Sequence, residues 1–296
     1  MNVLITGGTG SLGHVLTESL LDRGDDVTVY SRDELKQWEM SRRFPRARYI
    51  LGDVRDLARL TESCDGIDRI IHAAALKHAP AIEGCPDEAV RTNVIGTMNM
   101  IRAAQCPILG ISSDKACAPI TAYGSSKLLM ERLLVAAGHS AVRLGNIAGS
   151  TGSIINYWRE LAAQGQPLPL TDDRMTRHWM LPTEAAAFVL RCMTRQAGGE
   201  VFVPKTRSFR VVDLWRLIGG NGSDPAPTGR RPGEKLHESM IAPDELVDAY
   251  EDVDGYRLKR SASWLMQPDR LPAGFSTSSD KVLMTPDELA RELEAV

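Results

Sequence analysis

The chain has 296 residues, with 35 Lys and Arg against 38 Asp and Glu and a formal net charge of −3. That balance gives no basic footprint for nucleic acid or an anionic membrane surface, and no apolar run nears the roughly 20 residues that cross a bilayer. The five cysteines, Cys64, Cys85, Cys106, Cys117 and Cys192, form no CxxC pair, so neither a disulfide framework nor a zinc site is expected, and the chain reads as a cytoplasmic protein of a reducing compartment.

In chain order, the short apolar runs Val3–Thr6, Asp26–Tyr30, Arg48–Leu51, Arg69–Ala73 and Ile108–Ser112 read as strands. Longer amphipathic stretches, Leu12–Arg23, Pro86–Gln105 and Tyr123–Ala137, read as helices between them. This alternation predicts an α/β fold, a doubly wound parallel sheet with crossover helices on both faces. Ala141–Arg143 reads as a further strand. After Gly145 the pattern loosens. Helices are expected at Ile154–Gln164 and Pro182–Met193, a strand at Val201–Val203, and loop at Gly219–Glu234, rich in Gly, Pro and Asn. Thr285 is expected to cap a last helix that begins at Pro286. The expected division is a larger nucleotide-binding half, 1–145, and a smaller lobe, 146–296, with the segment near 176–195 returning to the first.

Thr6-Gly7-Gly8-Thr9-Gly10-Ser11-Leu12-Gly13 joins the first strand to the first helix, and Gly7, Gly10 and Gly13 are spaced G-x-x-G-x-x-G. The early glycines permit a tight turn and close approach of backbone N–H groups to a pyrophosphate. Ser11 and Leu12 open the helix whose N-terminus faces that charge, and Gly13 lets the helix pack on the strand. A strand before and a helix after are the context a dinucleotide site of Rossmann type requires. At the end of the second strand stand Ser31 and Arg32, where an NAD site usually places a carboxylate for the ribose 2′-hydroxyl. A hydroxyl and a guanidinium suit a 2′-phosphate, so NADP is favoured over NAD, although Asp33 is adjacent. Asp53, before Val54, suits either the adenine amino group or the cap of a helix that starts near Leu57.

Ser113-Asp114-Lys115 follows the fifth strand at its C-terminal end, the edge where open parallel sheets bind ligands. Tyr123 and Lys127 lie four apart on the next helix and so share a face. A neighbouring Lys⁺ favours the phenolate and is expected to bring the Tyr123 pKa down from its free value of about 10. A phenolate beside a nicotinamide removes the proton of an alcohol as hydride leaves. His72, His78 and His178 do not have a metal-ligand spacing and read as polar wall or structural residues.

These features together resemble the extended short-chain dehydrogenase/reductase family: the glycine turn, Asp53-Val54, Ala73-Ala74-Ala75, Asn93, Tyr123 and Lys127 fall in that family's order. The segments Tyr30–Gln37, Ala73–His78, Thr92–Thr97, Ser113–Ala116, Met175–Arg177, Phe202–Lys205 and Arg231–Glu238 look like the inverting UDP-N-acetylglucosamine 4,6-dehydratases. The resemblance runs from residue 3 to about 245 and is to the soluble, flagellin-sugar branch. It implies a cofactor site built from the turn, Ser31, Arg32, Asp53, Val54, Ala73, Ala74, Ala75, Lys77, Asn93, Tyr123 and Lys127. It also implies a UDP-sugar site that includes Lys77, Asn146, Arg177, Arg231 and Glu234, with Lys115 as the C5 base and Asp114 as the acid at C6. Dimers or higher homo-oligomers are implied too. For that chemistry the amine must be neutral and the carboxyl protonated, and burial is expected to push the Lys115 pKa down and the Asp114 pKa up.

Several positions depart from the resembled pattern. Ser113 stands where Thr is usual and Asn156 where Pro is common. The chain is also shorter around Gln105–Ile108, Val135–Ala141 and Leu217–Pro227. Two rival readings are an epimerase of the same superfamily, which needs the Tyr-Lys pair but no elimination, and a non-catalytic NADP-sensing protein, for which the Tyr-Lys pair has no use.

Overall fold

The structure is a computed structural model that describes residues 1–219, 228–259, 271–272 and 274–296. Among the described residues twelve strands are formed: β1 (Asn2–Thr6), β2 (Asp26–Ser31), β3 (Arg48–Leu51), β4 (Arg69–His72), β5 (Ile108–Ser113), β6 (Ser140–Leu144), β7 (Asn146–Ile147), β8 (Thr176–Met180), β9 (Glu200–Pro204), β10 (Arg207–Arg210), β11 (Ala249–Asp252) and β12 (Gly255–Lys259). Nine make one sheet in the order β11-β12-β9-β6-β5-β4-β1-β2-β3. From β9 through to β3 the pairs are parallel, and β12 and β11 add antiparallel at the β9 edge. A small second sheet, β10-β8-β7, stands apart. The chain winds outward from β1 to β3, then crosses back to β4 on the other side of β1. The switch point of the sheet therefore lies between β1 and β4, where open α/β sheets bind their ligands.

Successive side chains of a strand point to opposite faces, and the core divides accordingly. Val3, Ile5, Ile71, Leu109, Val142 and Phe202 face one core, packed under helices Ser11–Asp22 and Pro182–Arg195. Leu4, Ile70, Ile108, Ala141, Val201 and Val203 face the other, under helices Leu57–Ser63, Gly96–Ala103 and Ala122–Ala136. A third core, with Trp158, Trp179, Phe209, Trp215 and Leu289, joins β8 and β10 to helices Ile154–Ala163, Val211–Ile218 and Pro286–Glu294.

The strands and helices expected from the sequence form with their ends moved by one or two residues. Thr285 caps its helix by accepting from the Glu288 N–H. The Pro86–Gln105 stretch is one helical run in three parts, α at Pro86–Ala89, π at Val90–Ile95 and α at Gly96–Ala103. Helices Glu34–Arg43, Ala79–Gly84 and Val211–Ile218 and strands β7, β8 and β10 to β12 are additions. Helix Glu34–Arg43 buries only Gln37 and Met40, too thin an apolar stripe to read as periodic. Of the expected loop Gly219–Glu234, residues 220–227 lie outside the described residues.

Candidate active site

The glycine turn leaves β1 at the switch point. Gly7 has φ of +69°, and a Cβ there would stand 2.7 Å from the Ala74 nitrogen, so this position requires glycine on both counts. A Cβ on Gly13 would overlap the Gly8 carbonyl oxygen, which is why the helix can start this close to the strand. Helix Ser11–Asp22 has no side-chain cap at Gly10, so its first N–H groups are left facing the switch point. Ala73 donates its N–H to the Thr6 carbonyl at 3.0 Å, which brings the β4 edge beside the turn.

A cavity of about 260 Å³ opens next to the turn, lined by Gly7, Thr9, Ser31, Arg32, Lys36, Asp53, Val54, Ala74 and Ala75 among others. The Ser31 and Thr9 hydroxyls bond each other at 2.8 Å. Asp33 is committed elsewhere: it caps helix Glu34–Arg43 by accepting from the Lys36 N–H at 3.0 Å, and it pairs with the Lys36 ammonium at 3.1 Å. Asp53 is held by the Arg55 guanidinium at 2.8 Å and by Arg32 at 3.6 Å. It does not cap the helix at Leu57. Asp56 does so, accepting from the Arg59 N–H, because the chain turns once more between Asp53 and the helix.

The Ser113–Lys127 cluster comes together as the spacing implies. Asp114 is 1% exposed. The Lys115 Nζ donates to its two oxygens at 2.9 and 3.0 Å and to Asn146 Oδ1 at 3.2 Å. Ser113 Oγ donates to Asp114 Oδ1 at 2.8 Å. Thr121 caps helix Ala122–Ala136 and so fixes where Tyr123 enters the site. Asn93, on the π segment, brackets Leu76 by accepting its N–H at 2.8 Å and donating to its carbonyl at 3.0 Å. It also donates to Ser126 at 2.9 Å, tying the Ala73–His78 loop to the Tyr123 helix.

Two proton states differ from expectation. Burial pushes Tyr123 up to about 12, against the Ser113 hydroxyl, which lowers it. Lys127 does not offset this, because its ammonium donates to the Ile111 carbonyl at 2.6 Å, and burial pushes Lys127 itself down to about 8. Burial also raises Asp114, as expected. The Lys115 ammonium, the His178 ring and the hydrogen bonds from Lys115 and Ser113 outweigh it, and hold the carboxyl below the usual carboxylate range. Asp114 is therefore favoured as the carboxylate beside Lys115.

The segment Arg231–Glu238 lies over this cluster. Gly233, at φ +75°, packs against Thr121, and Lys235 Nζ donates to the Cys117 carbonyl at 2.7 Å. Glu238 stands 3.8 Å from the Lys115 Nζ. Arg177 is buried, with its guanidinium on the Thr176 and Leu236 carbonyls and 3.5 Å from Glu234. Arg231 is exposed at the rim. Lys77 donates to the Thr151 carbonyl at 2.7 Å, and the Thr151 N–H donates to Ser11 Oγ at 2.9 Å, so the Gly149–Ser153 loop spans the glycine turn. Thr9, Lys36, Thr151, Glu238 and His178 are site residues that the sequence reading did not single out as such. A second glycine-framed turn, Gly149-Ser150-Thr151-Gly152, was the available signal for Thr151. Lys36 is four residues past Arg32 in the sequence. Among the described residues, no group of three or more His, Cys, Asp or Glu is placed to hold a metal ion, and no helix is long and apolar enough to cross a membrane.

A glycine turn at the switch point of a doubly wound sheet, followed after β5 by a Ser, Tyr and Lys cluster, defines the extended short-chain dehydrogenase/reductase class. Residues 3–260 match the model of the polysaccharide biosynthesis protein family, and the chain belongs to that family. The inverting UDP-N-acetylglucosamine 4,6-dehydratase of Campylobacter jejuni is 39% identical, over 94% of this chain and 92% of that protein. A UDP-glucose 4-epimerase of Rickettsia rickettsii is 34% identical, over 86% and 82%. The crystal structure of Pen from Bacillus thuringiensis matches with a TM-score of 0.92 at 30% identity, over 100% of this chain and 97% of that one. DesIV, a dTDP-glucose 4,6-dehydratase from Streptomyces venezuelae, shares the fold with a TM-score of 0.73 at 21% identity, over 80% and 87%.

Proposed function

We propose that this chain is an NADP-dependent 4,6-dehydratase that inverts C5 and acts on UDP-N-acetylglucosamine. The observation that carries the reading is the Asp114–Lys115 pair, bonded at 2.9 Å beside Ser113 and Tyr123 at the ligand edge of β5. An epimerase acting at C4 has no use for that pair, because it moves no C5 proton and eliminates nothing, and a C5 epimerase would use it without loss of water. The likeness to the C. jejuni enzyme, over nearly the whole of both chains, supports the same reading.

The residues present fit a nicotinamide dinucleotide. Gly7 and Gly13 let the turn and helix pack directly on the Ala74 and Gly8 backbone, the helix N-terminus this leaves at the cavity suits a pyrophosphate, and Ser31, Arg32 and Lys36 line the cavity where a 2′-phosphate would sit. Asp33, which also lines this cavity, spends one oxygen on the helix cap and pairs with Lys36, which leaves it less available to a bare ribose 2′-hydroxyl. When bound, the nicotinamide supplies a place for hydride to be stored and returned. Tyr123 would take the C4 hydroxyl proton as the phenolate, a form that burial disfavours and that the positive charge of a bound oxidised nicotinamide would favour, with Ser113 orienting that oxygen and Lys127 holding the cofactor.

A ketone at C4 acidifies the C5 hydrogen, and the pair then does the work that distinguishes a dehydratase. One proton moved from Lys115 Nζ to an Asp114 oxygen yields a neutral amine and a carboxylic acid together, the forms that elimination needs. Desolvation by a bound sugar favours this neutral pair over the ion pair. Lys115 takes the C5 proton and Asp114 protonates the departing C6 hydroxyl, which leaves as water. Return of a proton to the opposite face of C5 inverts that centre.

In this reading 1–145 with helix Pro182–Arg195 hold the cofactor and the rest holds the sugar. Lys77, Asn146, Arg231 and Glu234 would contact the UDP-sugar, and Arg177 would set Glu234. The working enzyme would be a homo-oligomer of the cytoplasm. Incubation with UDP-N-acetylglucosamine tests the proposal: a product lighter by one water with a 6-methyl proton signal is expected. A C4 epimer without loss of water would replace it with the epimerase reading, and bound NADP without turnover would leave a cofactor sensor.

A further inference from the structure

Glu238 is a buried carboxylate beside the reactive pair, 4% exposed, and no step of the dehydration uses it. Its main chain is clamped on Ser279: the Glu238 N–H donates to Ser279 Oγ at 3.0 Å, and its carbonyl accepts the Ser279 N–H at 2.7 Å. Ser279 is itself fully buried and bonded to Thr176 of β8 at 2.7 Å. In the side chain, Oε1 stands 3.8 Å from the Lys115 Nζ and Oε2 stands 3.5 Å from the Lys235 Nζ. Lys235 is anchored in turn on the Cys117 carbonyl at 2.7 Å. Oε2 makes no hydrogen bond among the described residues. A carboxylate this deep is costly without close partners, and both lysines stand beyond the usual hydrogen-bond length.

The Lys115 Nζ has three acceptors near it: Asp114 at 2.9 Å, Asn146 Oδ1 at 3.2 Å and Glu238 Oε1 at 3.8 Å. An ammonium carries three N–H groups, whereas a neutral amine carries two and a lone pair. Once a proton has passed from Lys115 to Asp114, the charge attraction that holds Nζ against that carboxyl is gone. Asn146 and Glu238 remain as acceptors for the two N–H groups. Glu238, with its main chain fixed, draws Nζ toward itself. The lone pair is left for the C5 hydrogen.

We propose that Glu238 is a positioning residue for the C5 proton transfer: with Asn146 it holds the two N–H groups of the Lys115 amine and so aims the lone pair. The inference rests on the dehydratase reading. An N–H bond forms on Lys115 as the C5–H bond breaks, and that electron pair becomes the second bond between C5 and C6. The C6–O bond breaks with its own electron pair on oxygen, which takes the Asp114 proton and leaves as water. Glu238 neither gives nor takes a proton. An acceptor that tightens only on the free amine acts on kcat and leaves KM nearly unchanged.

Two conservative variants test this. Glu238→Gln keeps the shape and loses the charge, so its oxygen goes to the Lys235 ammonium and its NH2 turns to Lys115. Glu238→Asp keeps the charge and withdraws it by one methylene. Both are expected to lose about tenfold in kcat, the fold-change of one hydrogen bond to a charged group, with KM within about twofold. Single-turnover absorbance of the nicotinamide separates the steps. Oxidation at C4 belongs to Tyr123 and should keep its rate within about twofold. The decay of the reduced form should be the slowed phase, and it should carry a primary isotope effect from deuterium at C5. Decay at the unmodified rate in either variant overturns the inference alone. So does C4 oxidation slowed as much as the decay, the mark of a merely structural role, or a slowed decay without the C5 isotope effect. An unmodified protein that releases no dehydrated product overturns the dehydratase reading and this inference with it.

Discussion

Asp114 and Lys115 are adjacent in sequence and bonded in space, and the proposed chemistry turns on both. Lys115→Ala is expected to abolish the 6-methyl product while NADP binding, followed by calorimetry, persists; full turnover would remove Lys115 from the reaction. Asp114→Asn should slow dehydration by about 10²–10⁴-fold, the usual worth of a placed general acid. At the other end of the cleft, Arg32→Ala should weaken NADP by about tenfold and leave NAD nearly unchanged, because only the 2′-phosphate needs the guanidinium. Equal weakening of both cofactors in calorimetry would contradict that. The identity of these residues was legible because each motif is contiguous and sits at a strand end. Their proton states were not. Lys127 shares a helix face with Tyr123, as the spacing requires, but its ammonium bonds the Ile111 carbonyl of β5. Asp114 is buried, yet it is held low by partners from β8 and from its own turn. Such neighbours are set by tertiary packing, which no local spacing reveals.

Among the elements, caps and glycines fix where each helix meets the site. Asp33, Asp56, Thr121 and Thr285 each accept an N–H at a helix start. Thr285→Ala should cost about 1 kcal/mol of stability, seen as a shift in the denaturation midpoint with kcat unchanged, since the cap lies away from the reactive cluster. Alternating strands and helices made the sheet of the first half readable. The small sheet was not, because all five residues of β8, Thr176-Arg177-His178-Trp179-Met180, are buried. Its polar members take tertiary partners such as Leu236 and Thr206, so the strand shows no polar and apolar alternation to read.

Across the whole molecule, a buried ion cluster joins the two regions of the chain. Arg143 of β6 pairs with Glu131 at 2.7 Å and with Glu245 at 2.7 Å, and it also donates to the Met240 carbonyl. This fastens the segment after Glu238 to the main sheet. Asp25, Asp114 and Glu245 are each raised by burial, but partners outweigh it and hold all three below their ordinary range. A carboxyl lowered by folding stabilises the fold above its unfolded pKa, and that contribution is lost as pH falls through the folded value. The melting temperature is therefore expected to decline below about pH 4. Lys127 acts at the other end: its folded pKa of about 8 lies below the ordinary 10.5, so the unfolded chain binds more protons between the two. From this group, stability rises with pH across that window, and Lys127→Met should remove the rise in thermal melts; an unchanged slope would contradict the assignment.

The central claim, dehydration with inversion at C5, is tested most directly by turnover of UDP-N-acetylglucosamine in heavy water, followed by NMR. The expected product has a 6-methyl group, deuterium at C5 and the inverted C5 configuration. A 6-methyl product with C5 retained would contradict inversion, and unchanged substrate or a simple epimer would contradict the dehydratase itself.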